Sequence, residues 1–256
     1  MSVDDTPPGS KLARRLVDAH RRRATLDDLG SDEVPPDLEA AFDAQHRSLD
    51  MLAQPIAGWK VGSKSVDGPI QGAPLPADRR LSSGVTLRRA DYAVLGLELE
   101  VAFQFNRRFE PFSGPHADDV VLAALGMMQA TIEIVSSRYA GWPAVDKLAQ
   151  LADLQNHGAL VCGEAVPYDP AYPFTNPRVN FGFNGLDVIN GPVGNPAGDP
   201  RRLLSWIVNH CVSRGIAIGD DVAITTGSYT GMYFPTEPGT AVGLLAGFPP
   251  VRLTLA

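Results

Sequence analysis

The sequence predicts an α+β protein in which helices come first and strands dominate the rest. Three observations carry this. Two helical patterns stand near the start, at 11–24 and after Asp37. Segment 94–105 alternates with a period of two, the mark of a half-buried strand. The later strands are interrupted unevenly by helices, as in an α+β fold and unlike a regular alternation of strand and helix. No internal repeat is present.

The elements follow in order. Residues 11–24 place Leu12, Leu16 and His20 on one side, with Arg14, Arg15, Arg21, Arg22 and Arg23 mostly elsewhere. That basic run reads as a solvated face, with no weight given to anion binding. Asp37 follows two prolines and can cap a helix whose apolar face is Leu38, Ala41, Phe42, Gln45 and Leu49. A strand is expected over 56–61 and a long glycine- and proline-rich loop over 67–77. In 94–105 the odd positions are large and apolar, whereas Gly96, Glu98, Glu100 and Gln104 alternate with them. A helix is expected from Asp118 to about Met128, a strand over 131–135, a short helix over 145–152 and a strand over 159–162. Asp199 and Pro200 suit the start of a helix over 200–213, which Gly215 stops. Strands over 221–226 and 251–255 complete the chain.

Composition narrows the function. With 44% hydrophobic and 20% charged residues the chain is globular, not disordered. A net charge of −7 argues against a general nucleic-acid binder. No apolar run reaches the length of a membrane span. The first residues, with Asp4, Asp5, Pro7 and Pro8, carry no apolar signal core, so a cytoplasmic location is expected. Cys162 and Cys211 form no CxxC pair and read as buried thiols. No GxGxxG or GxxxxGK[ST] follows a strand, so a nucleotide cofactor has no support.

Four features could carry chemistry. Glu98 and Glu100 share one strand face, where two ionised carboxylates repel unless a cation lies between them. A hard divalent ion such as Mg²⁺ or Mn²⁺ would suit them. Glu133, flanked by Ile132 and Ile134, could be a third ligand. Solvated glutamates on amphipathic strands explain the pattern equally simply, and pattern alone favours that reading. Lys60, in GWKVG, faces away from Trp59 and Val61, either as a proton-transfer group or as a surface lysine. The hydroxyl- and glycine-rich turn from Thr225 to Gly231 could hold a carboxylate or be an ordinary polar turn. Asp153, Asn156 and His157 form a fourth polar cluster, and Arg138 is read as the partner of a structural acid.

These pieces occur in a familiar order. GWKVGSKS (58–65), LELEVAF (97–103), ATIEIVSSR (130–138), GNPAGDPRRLLSWIVNH (194–210) and the run from Gly219 to Gly231 make the chain resemble a known family. It is the 2-keto-4-pentenoate hydratase and 4-oxalocrotonate decarboxylase group of the fumarylacetoacetate hydrolase superfamily, over nearly the whole length. The resemblance implies a mixed β-sandwich roll with a small N-terminal part, here 1–70 with the helices and the GWK strand, and a larger β-rich metal-binding part, 71–256. It implies Mg²⁺ or Mn²⁺ on Glu98, Glu100 and Glu133, and Lys60 as the acid–base residue. Ser228, with Gly227 and Asp153, is implied to contact substrate. It implies a 2-oxo acid substrate, a homo-oligomer and association with a related decarboxylase.

The chemistry that follows is hydration of a 2-hydroxypenta-2,4-dienoate-like substrate to a 4-hydroxy-2-oxo acid by way of an enolate. Decarboxylation of a 2-oxo acid, C–C hydrolysis, and a non-catalytic partner subunit are the alternatives. A ligand-binding β protein with exposed glutamates is a third class. The sequence departs from the family at Lys64, at Ser136 where an aspartate is usual, and at 153–157, where only the aspartate of a DNxSS-like stretch is kept.

Overall fold

The computed structural model describes residues 9–27 and 29–256. The expected absence of a signal core at residues 4–8 therefore lies outside the described residues. Helices α1 (Ser10–Arg22) and α2 (Leu38–Leu52) come first. The Asp37 carboxylate accepts a hydrogen bond from the Ala40 amide, as its capping position requires. Strands β1 (Ile56–Gly62), β2 (Gln71–Pro76), β3 (Arg80–Ser82), β4 (Val85–Leu87) and β5 (Gly96–Phe105) follow. Next are α3 (Asp118–Leu122), β6 (Leu125–Val135), α4 (Lys147–Ala152), β7 (His157–Cys162), β8 (Val166–Pro167), β9 (Val179–Phe183) and β10 (Leu186–Asp187). The chain ends with α5 (Arg202–Ser213), β11 (Ala223–Ser228), β12 (Gly239–Leu245) and β13 (Val251–Leu255).

Two mixed sheets form the protein, as the α+β reading expects. The larger runs β2-β1-β11-β5-β6-β7-β3, with β8 beside β6; the smaller runs β10-β9-β12-β13-β4. Pairs β1–β11, β3–β7 and β4–β13 are parallel, and the other pairs are antiparallel. One core joins the two sheets. It holds Leu97, Leu99, Val101 and Phe103 of β5, Ile132 and Ile134 of β6, and residues of β9, β12 and β13. Gly243 permits this approach, because a Cβ there would lie 2.4 Å from a Leu99 methyl carbon. Helix α5 adds Leu203, Leu204, Ile207, Val208 and Cys211 to the same core. Each such aliphatic side chain contributes about 1.5–3 kcal/mol on burial.

A second core joins α1, α2 and α4 through Leu12, Leu16, Phe42, Tyr139 and Leu151. Leu49 of α2 packs on Ala73 of β2 and on Leu154. Ala73 stands opposite Lys60 in the β1–β2 ladder, so the helices lie over the face that carries Lys60.

Several expectations change. The expected loop over 67–77 contains β2, which pairs antiparallel with β1 despite Pro74 and Pro76. It is the edge strand of its sheet, the place where missing amide donors are tolerated. The helix expected from Asp118 to about Met128 ends at Leu122, because 125–128 pair with the end of β5. Asp199 accepts from the Arg201 amide, but the regular helix starts at Arg202. Gly215, with φ +75°, ends it as expected. Residue 70 lies between β1 and β2, which pair in the larger sheet. Both cysteines are free thiols; Cys211 is buried and Cys162 partly so. No helix among the described residues is long and apolar enough to cross a membrane.

Candidate active site

The face of the larger sheet turned away from the sandwich core carries the candidate site. Period-two alternation puts Glu98 and Glu100 of β5 on this face, while Leu97, Leu99 and Val101 enter the core. Glu133 of β6 stands directly opposite Glu98 in the β5–β6 ladder. The three residues each offer a carboxylate oxygen, all within 4.8 Å of one another. Glu100 is 2% and Glu133 1% exposed, and Glu98 is partly buried. The reading of these glutamates as a wet strand face is thereby overturned.

Glu133 and Glu100 have separate partners. Lys60, from β1, donates to Glu133 Oε1 at 2.5 Å, and His157 Nδ1 lies 3.1 Å from the same oxygen. Glu100 Oε2 accepts from the Thr225 hydroxyl and from the Gly227 amide, the latter at 3.0 Å. The electrostatics follow from this division. Burial raises the Glu133 pKa, but the Lys60 charge and the His157 and Lys60 hydrogen bonds outweigh it and hold the group below the usual range. Burial lowers the Lys60 pKa, and Glu133 more than restores it, so the pair is ionic. Glu98 is pushed up to about 7 by burial and then by the charge of Glu133. Glu100 is pushed up to about 8, by burial first and then by Glu133 and Glu98. The single ammonium is committed to Glu133, so protons must neutralise the other two acids unless a cation does. His157 is neutral, because burial lowers its pKa more than Glu133 raises it. Its Nδ1 is therefore the protonated nitrogen, donating to Glu133.

The backbone behind Lys60 is unusual. Leu154, Gln155 and Asn156 have φ of 48°, 54° and 58°, three successive left-handed residues without a glycine. Asn takes this conformation readily, whereas Leu and Gln incur about 1–2 kcal/mol each. The turn aims the Gln155 carbonyl at Lys60 Nζ, 3.2 Å away. Arg138 clamps it: Nη2 donates to the Asp153 carbonyl at 2.9 Å, and Nη1 to the His157 carbonyl at 2.5 Å. Both Asp153 carboxylate oxygens accept from Arg138, one from Nε and one from its amide.

Lys60, Glu98, Glu100 and Glu133 are thus brought together as expected. Gly227 is present through its amide, which serves Glu100. Ser228 pairs in register with Glu100, but its hydroxyl is engaged in its own turn, with the Gly231 carbonyl at 3.2 Å and the Thr230 amide at 3.3 Å. Asp153, expected as a substrate contact, is 2% exposed and held by Arg138 at both oxygens. Arg138 has the structural role expected of it. Gln155 was missed as a site residue, and Thr225 was expected only as the first residue of the hydroxyl- and glycine-rich turn, not as a partner of Glu100. The period of β11 could have placed Thr225 on the site face, but a backbone carbonyl aimed by a left-handed turn leaves no mark in the sequence.

No protein-family model matches the sequence, and no curated protein matches it. Solved structures do match. The chain is similar to 4-oxalocrotonate decarboxylase from Pseudomonas putida G7 complexed with magnesium and adipate. The TM-score is 0.83 at 17% identity, over 97% of each chain. The same enzyme complexed with calcium and acetate gives 0.82. Fumarylpyruvate hydrolase from Pseudomonas aeruginosa, in complex with Mn²⁺ and pyruvate, gives 0.56 at 12% identity, over 79% of this chain and 91% of that one. The chain has the fumarylacetoacetate-hydrolase-type fold, and these neighbours are enzymes of that superfamily.

Proposed function

We propose that the protein is a divalent-metal-dependent lyase acting on 2-oxo or 2-hydroxydienoic acids, by hydration of a 2-hydroxypenta-2,4-dienoate-like substrate to a 4-hydroxy-2-oxo acid. The observation that carries this reading is the convergence of three carboxylates, two of them buried, beside the Lys60–Glu133 pair. An all-oxygen, acid-rich set suits Mg²⁺ or Mn²⁺. The raised Glu98 and Glu100 pKa values are what a cation site shows when protons stand in for the cation.

Glu98, Glu100 and Glu133 would hold the ion. When bound, it supplies Lewis acidity towards the carboxylate and carbonyl oxygens of a 2-oxo acid, which favours the enolate. Lys60 holds a proton at Nζ, with Glu133 and the Gln155 carbonyl fixing its direction. From there it can deliver that proton to C5 of the dienol while the C2 hydroxyl proton returns to the amine, giving the 2-oxo-3-enoate. Water then adds across the conjugated double bond, so the net change is the gain of one water. The Ser228 turn, beside Glu100, is where the substrate carboxylate would be received.

A second reading is decarboxylation of a 2-oxo acid through the same enolate. It is favoured by the fold match to 4-oxalocrotonate decarboxylase over 97% of both chains. An ultraviolet assay separates the two, run with Mg²⁺, Mn²⁺ or EDTA. Metal-dependent loss of 2-hydroxypenta-2,4-dienoate with formation of 4-hydroxy-2-oxopentanoate supports the hydratase. Metal-dependent release of CO₂ from 4-oxalocrotonate, with the dienoate untouched, replaces it by the decarboxylase. Turnover indifferent to EDTA would remove both.

A further inference from the structure

A second concentration of charge lies away from the carboxylates, under the C-terminal end of α1. A cavity of about 40 Å³ opens there between α1 and the sheet, lined among others by His20, Arg23, Arg79, Asp91, Ser136 and Arg138. One water needs about 10–15 Å³, so the space is a few waters in size, the scale of a small oxyanion. The arginine-rich end of α1, which the sequence alone reads as a solvated face, supplies one wall.

The charges on these walls are unevenly matched. Arg138 is occupied by Asp153, and Asp91 is shared between Arg23 at 2.5 Å and Arg88 at 3.0 Å. Among the described residues Arg79 has no hydrogen-bonded acid. Its Nη2 lies 3.3 Å from His20 Nε2, and its Nε is buried without a hydrogen-bond partner. The Asp78 carboxylate is 3.5 Å from that Nε, outside hydrogen-bonding geometry, and partly in solvent. His20 is neutral: burial, then the charges of Arg138 and Arg79, push its pKa down to about 3. The imidazole can therefore accept a hydrogen bond from Arg79 but cannot neutralise it. A buried guanidinium N–H with no acceptor is costly, and a planar fork of donors is matched by an oxyanion.

We propose that this cavity is a binding site for a small free oxyanion, a carboxylate or phosphate ion, with Arg79 as its principal ligand. The Ser136 side chain, on the cavity wall just past the end of β6, is available as a further donor. The proposal does not depend on the reaction assigned to the carboxylate site.

Isothermal titration with inorganic phosphate tests it on the full-length protein. One phosphate per chain is expected, with affinity reduced about tenfold or more in Arg79→Gln. Arg79→Lys keeps the charge and loses the fork, and falls between the two. Glu98→Gln binds phosphate as the wild type does. In unmodified protein, phosphate slows the reaction of Arg79 with phenylglyoxal, read by peptide mass, which removes any dependence on how a variant folds. Absence of both binding heat and Arg79 protection would overturn the proposal. So would equal affinity in Arg79→Gln, or loss of binding in Glu98→Gln, which would tie phosphate to a metal ion held by the carboxylate cluster.

Discussion

Lys60 Nζ lies 2.5 Å from Glu133 Oε1, an ion pair set between strands that are not neighbours in the sheet. It divides the three acids unequally. Glu133 is ionised with its counter-charge attached, and Glu98 and Glu100 are left to share whatever positive charge the solution supplies.

Glu98→Gln keeps the size of the side chain and removes its charge. Mn²⁺ affinity should fall about a hundredfold or more, measured by titration with paramagnetic resonance detection. The circular dichroism spectrum should not change, and the metal-free melting temperature should equal or exceed that of the wild type. Wild-type Mn²⁺ affinity in this variant would rule out the proposed ligand set.

The pH dependence has a definite sign. Folded Glu98 and Glu100 titrate near 7 and 8, above the unfolded value of about 4.3. Their contribution to metal-free stability is complete below pH 4 and is lost as pH rises through 7 to 8. A bound cation reverses this, since it needs both acids ionised. The gap in melting temperature between Mn²⁺ and EDTA samples should therefore be larger at pH 8 than at pH 6. A gap that ignores pH would mean these acids are already ionised without metal.

Lys60→Ala should separate chemistry from binding. Turnover should fall about 10²- to 10⁴-fold, the range for a lost proton-transfer group, with Mn²⁺ affinity within a few-fold of wild type. Parallel loss of both would make Lys60 a structural partner of Glu133 only.

Arg138→Leu leaves Asp153 buried and unpaired and releases both ends of the left-handed turn. A loss of about 3–5 kcal/mol is expected in urea unfolding. Arg138→Leu with Asp153→Leu should recover part of it. A single-variant loss below about 1 kcal/mol would show that the turn holds itself.

The legible parts of this protein were those written in local periodicity. Glu98 and Glu100 announced a shared face because apolar residues alternate with them without a break, and Ile132 and Ile134 did the same for Glu133. That Glu133 stands opposite Glu98 is a matter of register, which depends on strands paired across a long connection. β9 and β12 went unread because Gly182, Gly239 and Gly243 dilute their apolar pattern, although Gly243 is there to admit Leu99. β2 was concealed by its prolines, which only its edge position makes harmless. The turn at 154–156 is imposed from outside by Arg138, and residues that normally avoid φ > 0 gave no warning of it.

The double use of β5 sets what lengths of insertion the gene can accept. Its odd residues belong to the sandwich core and its even residues to the carboxylate face, along the whole ladder with β6. Losing or gaining one residue within β5 would turn the acids into the core and the leucines outward, abolishing fold and site together. Gly185 and Gly191, with open space around them, lie in connections where the same change in length leaves every ladder in place. Variation in length among relatives of this chain is therefore expected to collect at such turns and to spare 96–105.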